Sequence, residues 1–176
     1  MPSVYTMRRL TQWVRMEPTY TDGRWTEVPY CASTKSKASV TERTTWGDFE
    51  VEILASPGHI EIMFSSDDPF FEVDLDNCID AGEIAPWAQS VIDRFPAAYA
   101  ERSVTGTGVH LIGLGELPRG AQRRGQIVVY ALARYVTCAG DVLSGHEEIG
   151  DCAQALAAWY AEMWPATDFS AQAVSG

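Results

Sequence analysis

Apolar residues recur along this chain in two rhythms, and the places where each starts and stops outline its elements. Over 59–64, Ile60, Ile62 and Phe64 alternate with Glu61 and Met63, the period of a half-buried strand. Over 70–76 the alternation sharpens, with Phe71, Val73 and Leu75 on one face and Glu72, Asp74 and Asp76 on the other. The SSDDP turn between these runs predicts a hairpin. Earlier, Val4, Tyr5, Leu10, Trp13 and Val14 stand among arginines and read as a short helix running into a strand at 12–16. Turn chemistry from Pro18 to Gly23 leads to a second strand at 25–30, again as a hairpin. The polar run 32–43 has no apolar period and reads as a surface loop. Thr44 or Thr45 is placed to cap a short helix through Leu54, with Asp48 as the capping-box acid for Thr45, until Pro57-Gly58 stops it.

The second half reads in the same way. From Pro86, a residue suited to a first helical turn, Trp87, Val91, Ile92 and Phe95 recur at helical spacing until Pro96. Thr105-Gly106-Thr107-Gly108 is a flexible turn leading into a strand on which His110, Ile112 and Leu114 share a face. Residues 127–130 and 135–138 are two more strands, joined by a turn containing Arg134. From Glu147 to Trp164, the residues Ile149, Cys152, Leu156, Tyr160 and Met163 predict an amphipathic helix. Strands interleaved with helices in this order predict an α+β fold, one antiparallel or mixed sheet with helices on a face. A single domain over 1–164 carries it, followed by a frayed tail over 165–176.

Composition narrows the class. A chain of 176 residues with 46% hydrophobic and 21% charged side chains is an ordinary soluble domain with room for a core. No apolar run suits a membrane span or a signal core, so the expected location is the cytoplasm. Cys31, Cys78, Cys138 and Cys152 are widely spaced, which argues for reduced, buried thiols rather than a zinc ribbon. A net charge of −11 argues against wholesale nucleic-acid binding and confines any such contact to local basic clusters. Such clusters exist at Arg8, Arg9 and Arg15, at Lys35, Lys37 and Arg43, and at Arg119, Arg123 and Arg124.

Two stretches carry candidate chemistry. In FFEVDLDNC, three acids on one face raise one another's pKa unless a cation neutralises them, and carboxylates are what Mg²⁺ or Mn²⁺ prefers. The competing reading is a strand end with solvated acids. In TGTGVH, backbone amides of the turn can approach an anion, with His110 just behind. An isolated glycine-x-glycine is weak evidence, and a histidine opening a strand is more often structural than catalytic.

The order of these segments, an apolar-DLD strand, then TGTGVH, a basic loop and IVVY with RYVT, resembles the archaeo-eukaryotic primase superfamily. More narrowly it resembles the bifunctional DNA primase/polymerase (prim-pol) domain that opens replication proteins of phages and mobile elements. QWVRM followed by VPY and ASVTERTTWGDFE is similar to that group's opening segment. DDPFFEVDLDNCID resembles its first catalytic motif, YAERSVTGTGVHL its serine-glycine-x-glycine-x-histidine motif, and ARYVTCAG its closing strand. The resemblance implies a palm-like central sheet, similar to an RNA-recognition motif, flanked by helices with an N-terminal αβ unit. It implies a metal-dependent nucleotidyltransferase that takes nucleoside triphosphates and a single-stranded DNA template, for primer synthesis or extension. Asp74 and Asp76 match the carboxylates that hold Mg²⁺ or Mn²⁺. His110 matches the histidine on the triphosphate, with Thr105 at the usual serine position beside Gly106, Thr107 and Gly108. Arg123 and Arg124 fall in the basic loop where triphosphate or template phosphates are contacted. Arg134 matches the arginine before the aromatic, in a nucleotide-binding or an aromatic-stacked role. If the chain is complete at Gly176, the resemblance implies a separate replicative helicase or polymerase as partner, whereas a fragment of a longer protein would need none.

Two positions depart from the family pattern. Val128 stands where relatives carry a third acid, and Glu72 is the expected substitute ligand. Glu27 stands where relatives often carry a base before valine-proline-tyrosine. These departures support a second reading, a prim-pol fold that binds nucleotide, DNA or a protein partner without catalysis, as a replication accessory or an inhibitor of a host system. DLDNC also resembles the nucleophile loop of haloacid-dehalogenase phosphatases, but those need a downstream lysine and none follows Lys37. A DxD glycosyltransferase needs a longer chain with parallel βα alternation.

Overall fold

The computed structural model describes residues 7–55, 60–120 and 122–165, apart from the side chains of Trp25 and Glu27. The expectations for Val4 and Tyr5, for the Pro57-Gly58 stop, for His59, for the side chain of Glu27 and for the tail from 166 fall outside those residues. The fold is α+β, as the interleaved rhythms predict, but it is built on two antiparallel sheets rather than one.

In the N-terminal half, β1 (Trp13–Thr21) and β2 (Arg24–Cys31) form the expected hairpin around Asp22-Gly23. A short β3 (Ser36–Lys37) pairs with the end of β2, a 3-10 turn covers Arg43–Thr45, and α1 spans Phe49–Ala55. Then come β4 (Ile60–Phe64) and β5 (Phe70–Leu75), followed by the small ribbon of β6 (Ile79–Asp80) and β7 (Glu83–Ile84). The second half contributes α2 (Pro86–Ile92), β8 (Tyr99–Arg102), β9 (Val109–Leu114), β10 (Arg123–Arg124) and β11 (Ile127–Tyr130). It closes with β12 (Arg134–Thr137), β13 (Asp141–Val142) and α3 (Ala153–Met163). One sheet has the order β12-β4-β1-β2-β3 and the other β10-β11-β5-β9-β8-β13.

Three expectations are corrected by this arrangement. The run from β4 to β5 is not a hairpin: β4 pairs with β1 and β12, whereas β5 pairs with β9 and β11. Both strands are central, and the Asp68 carboxylate turns the chain between sheets by accepting from Ser65 N and Gln12 Nε2, each at 2.7 Å. The helix expected from Thr44 or Thr45 is interrupted at Gly47, whose backbone exchanges two hydrogen bonds with Trp13 (2.8 and 2.9 Å). That bridge straightens Trp46 and delays α1, while Glu42 rather than a threonine caps the 3-10 turn. The last helix begins at Ala153 rather than Glu147, because Gly150 N donates to Ala97 O and Cys152 N donates to Leu114 O. Those tertiary bonds hold residues 149–151 out of the helix, and Cys152 becomes its N-cap.

The six-stranded sheet is covered on one face by α2 and α3. Phe71, Val73, Leu75, Leu111, Ile127 and Val129 pack there against Val91, Ile92, Leu156 and Trp159. Phe95 sits edge-on to Trp159 with centroids 5.4 Å apart. Each such side chain contributes roughly 1.5–3 kcal/mol by leaving water. A second core, with Ile62, Phe64, Phe70, Tyr99, Ile112 and Val136, joins the other face to the five-stranded sheet. No helix among the described residues is long and apolar enough to cross a membrane.

At Gly150 a Cβ would lie 2.7 Å from the Ala97 carbonyl oxygen, a backbone atom that is itself hydrogen-bonded to Gly150 N. Gly150→Ala is therefore expected to cost about 1–3 kcal/mol of stability, read as a lowered urea midpoint.

Candidate functional site

Strand β5 brings the acids into position. Its odd-numbered residues are apolar and face the helices, so Glu72 and Asp74 face the other sheet. Asp76 lies one step beyond the strand, where its backbone N–H donates to Gln126 O at 2.8 Å. Register then aligns a row across the sheet: Arg123 opposite Val128, Val128 opposite Asp74, Asp74 opposite His110, and His110 opposite Glu101. Directly opposed residues share a face, so this row is one surface.

The cleft above it lies where strands β4 and β12 of the five-stranded sheet approach this face. Strands β4 and β12 touch the six-stranded sheet with both of their sides. Ile62 and Val136 pack on Tyr99 and Ile112, while Glu61 and Thr137 line the cleft with Asp74 and His110. Thr137 Oγ1 donates to Glu61 Oε1 at 2.8 Å. The larger lobe, about 410 Å³, is lined by Asp74, Asp76, Asn77, Thr105, Thr107, Gly108 and His110 among others. A second lobe of about 330 Å³ continues from Asp74 and His110 past Glu72, Tyr130, Arg134 and Tyr135.

The glycine-rich turn, as expected, forms one wall. Ser103 Oγ accepts from Gly108 N at 3.0 Å, and the hydroxyls of Ser103, Thr105 and Thr107 are chained at 3.1 and 2.9 Å. Gly108 has to be glycine, since a Cβ would come within 2.9 Å of Leu75 O on β5. That close approach holds the turn against the end of the acidic strand.

Charge is concentrated on His110. Its Nε2 lies 3.9 Å from Asp74 Oδ1 and its Nδ1 lies 3.7 Å from Glu101 Oε1, ion-pair distances rather than hydrogen bonds. Burial pulls its pKa down, but Glu101, Glu72 and Asp74 together push it up to about 9, so the imidazole is a cation at neutral pH. Burial raises Glu72 to about 8 despite His110, with Asp74, Glu61 and Glu101 adding to the rise. Burial also raises Asp74; His110 opposes this, Asp76 adds to it, and Arg123 and Arg134 oppose it.

The expected site residues therefore separate. Asp74, Asp76, His110, Thr105, Thr107 and Gly108 line one lobe, with Gly106 at the bend of the same turn. Arg123 is on the site face, its Nη1 3.6 Å from Asp76 Oδ2. Arg124 is not: it pairs with Ile127 on the helix side and donates to Met163 O at 2.6 Å. Alternation along β10 is the reason, since neighbouring residues take opposite faces. Arg134 stacks on Tyr130 at 4.3 Å and donates to its hydroxyl at 2.7 Å, at the mouth of the second lobe. Glu72 is 5% exposed and sits one row deeper, and among the described residues no three acids, histidines or cysteines form a metal-holding group. Burial therefore favours the protonated form of Glu72. Val128 is directly beside Asp74 and 2% exposed, so the slot of the expected third acid is filled by an apolar side chain.

Glu61, Glu101 and Thr137 were not expected here. Nothing in YAER or IEIMF distinguishes these glutamates from solvated ones, and only the register and the sheet junction bring them to His110.

Folded Glu72 keeps its proton up to about 8, while the unfolded chain releases it near 4.5. Relative stability is therefore full below the lower value and is lost as pH rises through the upper one. The isosteric Glu72→Gln is expected to match wild type near pH 5 and exceed it by on the order of 1–3 kcal/mol above pH 8, read from thermal melts at both pH values.

No protein-family model matches the chain. The chain is similar to the DNA primase-polymerase of Nitratiruptor phage NrS-1, with 26% identity over 174 residues. That alignment covers 92% of this chain but only 24% of the relative, so the chain spans about a quarter of the relative's length. This distant likeness, running over most of the chain, supports a relationship with primase-polymerases.

Proposed function

We propose that this chain is a nucleotidyl-transfer domain of primase-polymerase type, which binds a nucleoside triphosphate in the larger lobe and extends a DNA primer on a single-stranded template. The observation that carries it is the convergence of Asp74, Asp76, His110 and the Thr105–Gly108 turn on one cleft. In the reaction a 3′ hydroxyl oxygen attacks the α-phosphorus, the bond to the β-phosphate breaks, and pyrophosphate leaves with the electron pair.

The donor set suits a divalent cation that arrives with its nucleotide. Asp74 and Asp76 are two carboxylates lining one lobe, and Mg²⁺ is commonly held by one or two carboxylates plus substrate phosphates. Burial and Asp76 both raise Asp74, the electrostatic state that a cation relieves. When bound, Mg²⁺ or Mn²⁺ would polarise the α-phosphate and offset the charge that develops on it. The side chains do the rest. The His110 cation faces the phosphates, the Thr105 and Thr107 hydroxyls and their turn wrap the tail, and Arg123 balances Asp76 at the rim.

One observation favours a second reading. With Val128 in the row, Asp74 has an apolar neighbour on one side and a histidine on the other, and a domain so built holds nucleotide without turning it over. Primer extension with Mn²⁺ or Mg²⁺ separates the two readings. Incorporation supports the transferase, whereas triphosphate binding without incorporation supports the binding module. Replacing Asp74 and Asp76 together by alanine is expected to reduce incorporation by at least ~10²-fold. His110→Ala is expected to weaken triphosphate binding about 10- to 100-fold, the worth of a charge-assisted hydrogen bond. Arg123→Ala is expected to weaken nucleotide or template binding while Arg124→Ala leaves both unchanged, read by titration calorimetry and fluorescence anisotropy.

A further inference from the structure

The site row ends on a carboxylate that neither lobe exposes. Glu101 is 0% exposed, yet it is held ionised: burial opposes this, but His110, Tyr99 and two backbone amides lower its pKa. Ala139 N donates to Oε1 at 2.7 Å, Gly140 N donates to Oε2 at 2.7 Å, and the Tyr99 hydroxyl donates to Oε2 at 2.6 Å. Three donors on two oxygens lock the plane of the carboxylate. None of them carries a full charge. The facing cation is His110, whose buried Nδ1 makes no hydrogen bond and lies 3.7 Å from Oε1.

We propose that Glu101 is a positioning residue for His110, fixing the imidazole with Nδ1 toward the carboxylate and Nε2 toward the cleft; this rests on reading the cleft as a triphosphate site. A buried ring on a strand has two orientations related by a half-turn about its Cβ–Cγ bond. The half-turn would present carbon to Glu101 and move Nε2 off its line to Asp74, leaving the carboxylate without its cation. Glu101 thus selects one orientation. It also ties that orientation to the sheet junction, because Ala139 and Gly140 follow Cys138 just beyond β12, whose Thr137 lines the cleft. Outer partners of this kind orient an imidazole without touching the ligand.

The test uses the full chain with dATP and Mn²⁺, by calorimetry, together with ¹⁵N signals of the His110 ring. Glu101→Gln is expected to weaken dATP binding by about tenfold, and to shift the His110 ring nitrogens even without nucleotide. In a His110→Ala background the same change is expected to have no further effect. Tyr99→Phe, which removes one donor and leaves the charge, should move both readouts the same way by less, and it serves if Glu101→Gln does not fold. Unchanged ring signals overturn the inference, as does an equal loss of binding with and without His110. If wild type binds no dATP the nucleotide reading fails instead, and the nucleotide-free ring signals still decide the role of Glu101.

Discussion

Asp74 and His110 oppose one another across the β5–β9 pair, and the charge balance between them governs how their neighbours ionise. Burial makes every carboxylate here costly, so each acid has to be protonated, hydrogen-bonded or paired with a cation. Glu72 takes the first course and Glu101 the second. Asp74 takes the third, through a histidine held at 3.9 Å on one side and Arg123 and Arg134 further off. A cleft in this state repels further anions less than its composition suggests, because the inner acid is neutral and the histidine is charged.

The second constraint is the junction of the two sheets at β4 and β12. Alternation along β4 and β12 puts Ile62 and Val136 into the shared core and Glu61 and Thr137 at the cleft, so one junction makes both. The same geometry explains why the polar residues of β4 are retained at a central strand. Glu61 and Thr137 bond to one another there.

The apolar gap at Val128 is a local matter of register. Because β11 is antiparallel to β5, whatever occupies position 128 falls directly beside Asp74. A valine there leaves the acidic pair confined to Asp74 and Asp76, at the end of the strand nearest the glycine-rich turn.

How legible this was in the residues differs from element to element. The faces of β5 followed from alternation alone, since Phe71, Val73 and Leu75 can hide only on the side away from Glu72 and Asp74. The hairpin at Asp22-Gly23 and strand β11 were equally readable, because each depends on neighbours within a few residues. The sequence determined which side chains are acidic, which are basic and which face each strand presents. Tertiary structure alone decided that β4 leaves β5 for another sheet, that Gly47 and Gly150 break helical segments, that Arg124 turns away from the site, and that Glu101 stands behind His110. Those outcomes depend on hydrogen bonds between residues far apart in the chain, and a local pattern carries no record of the partner that makes them.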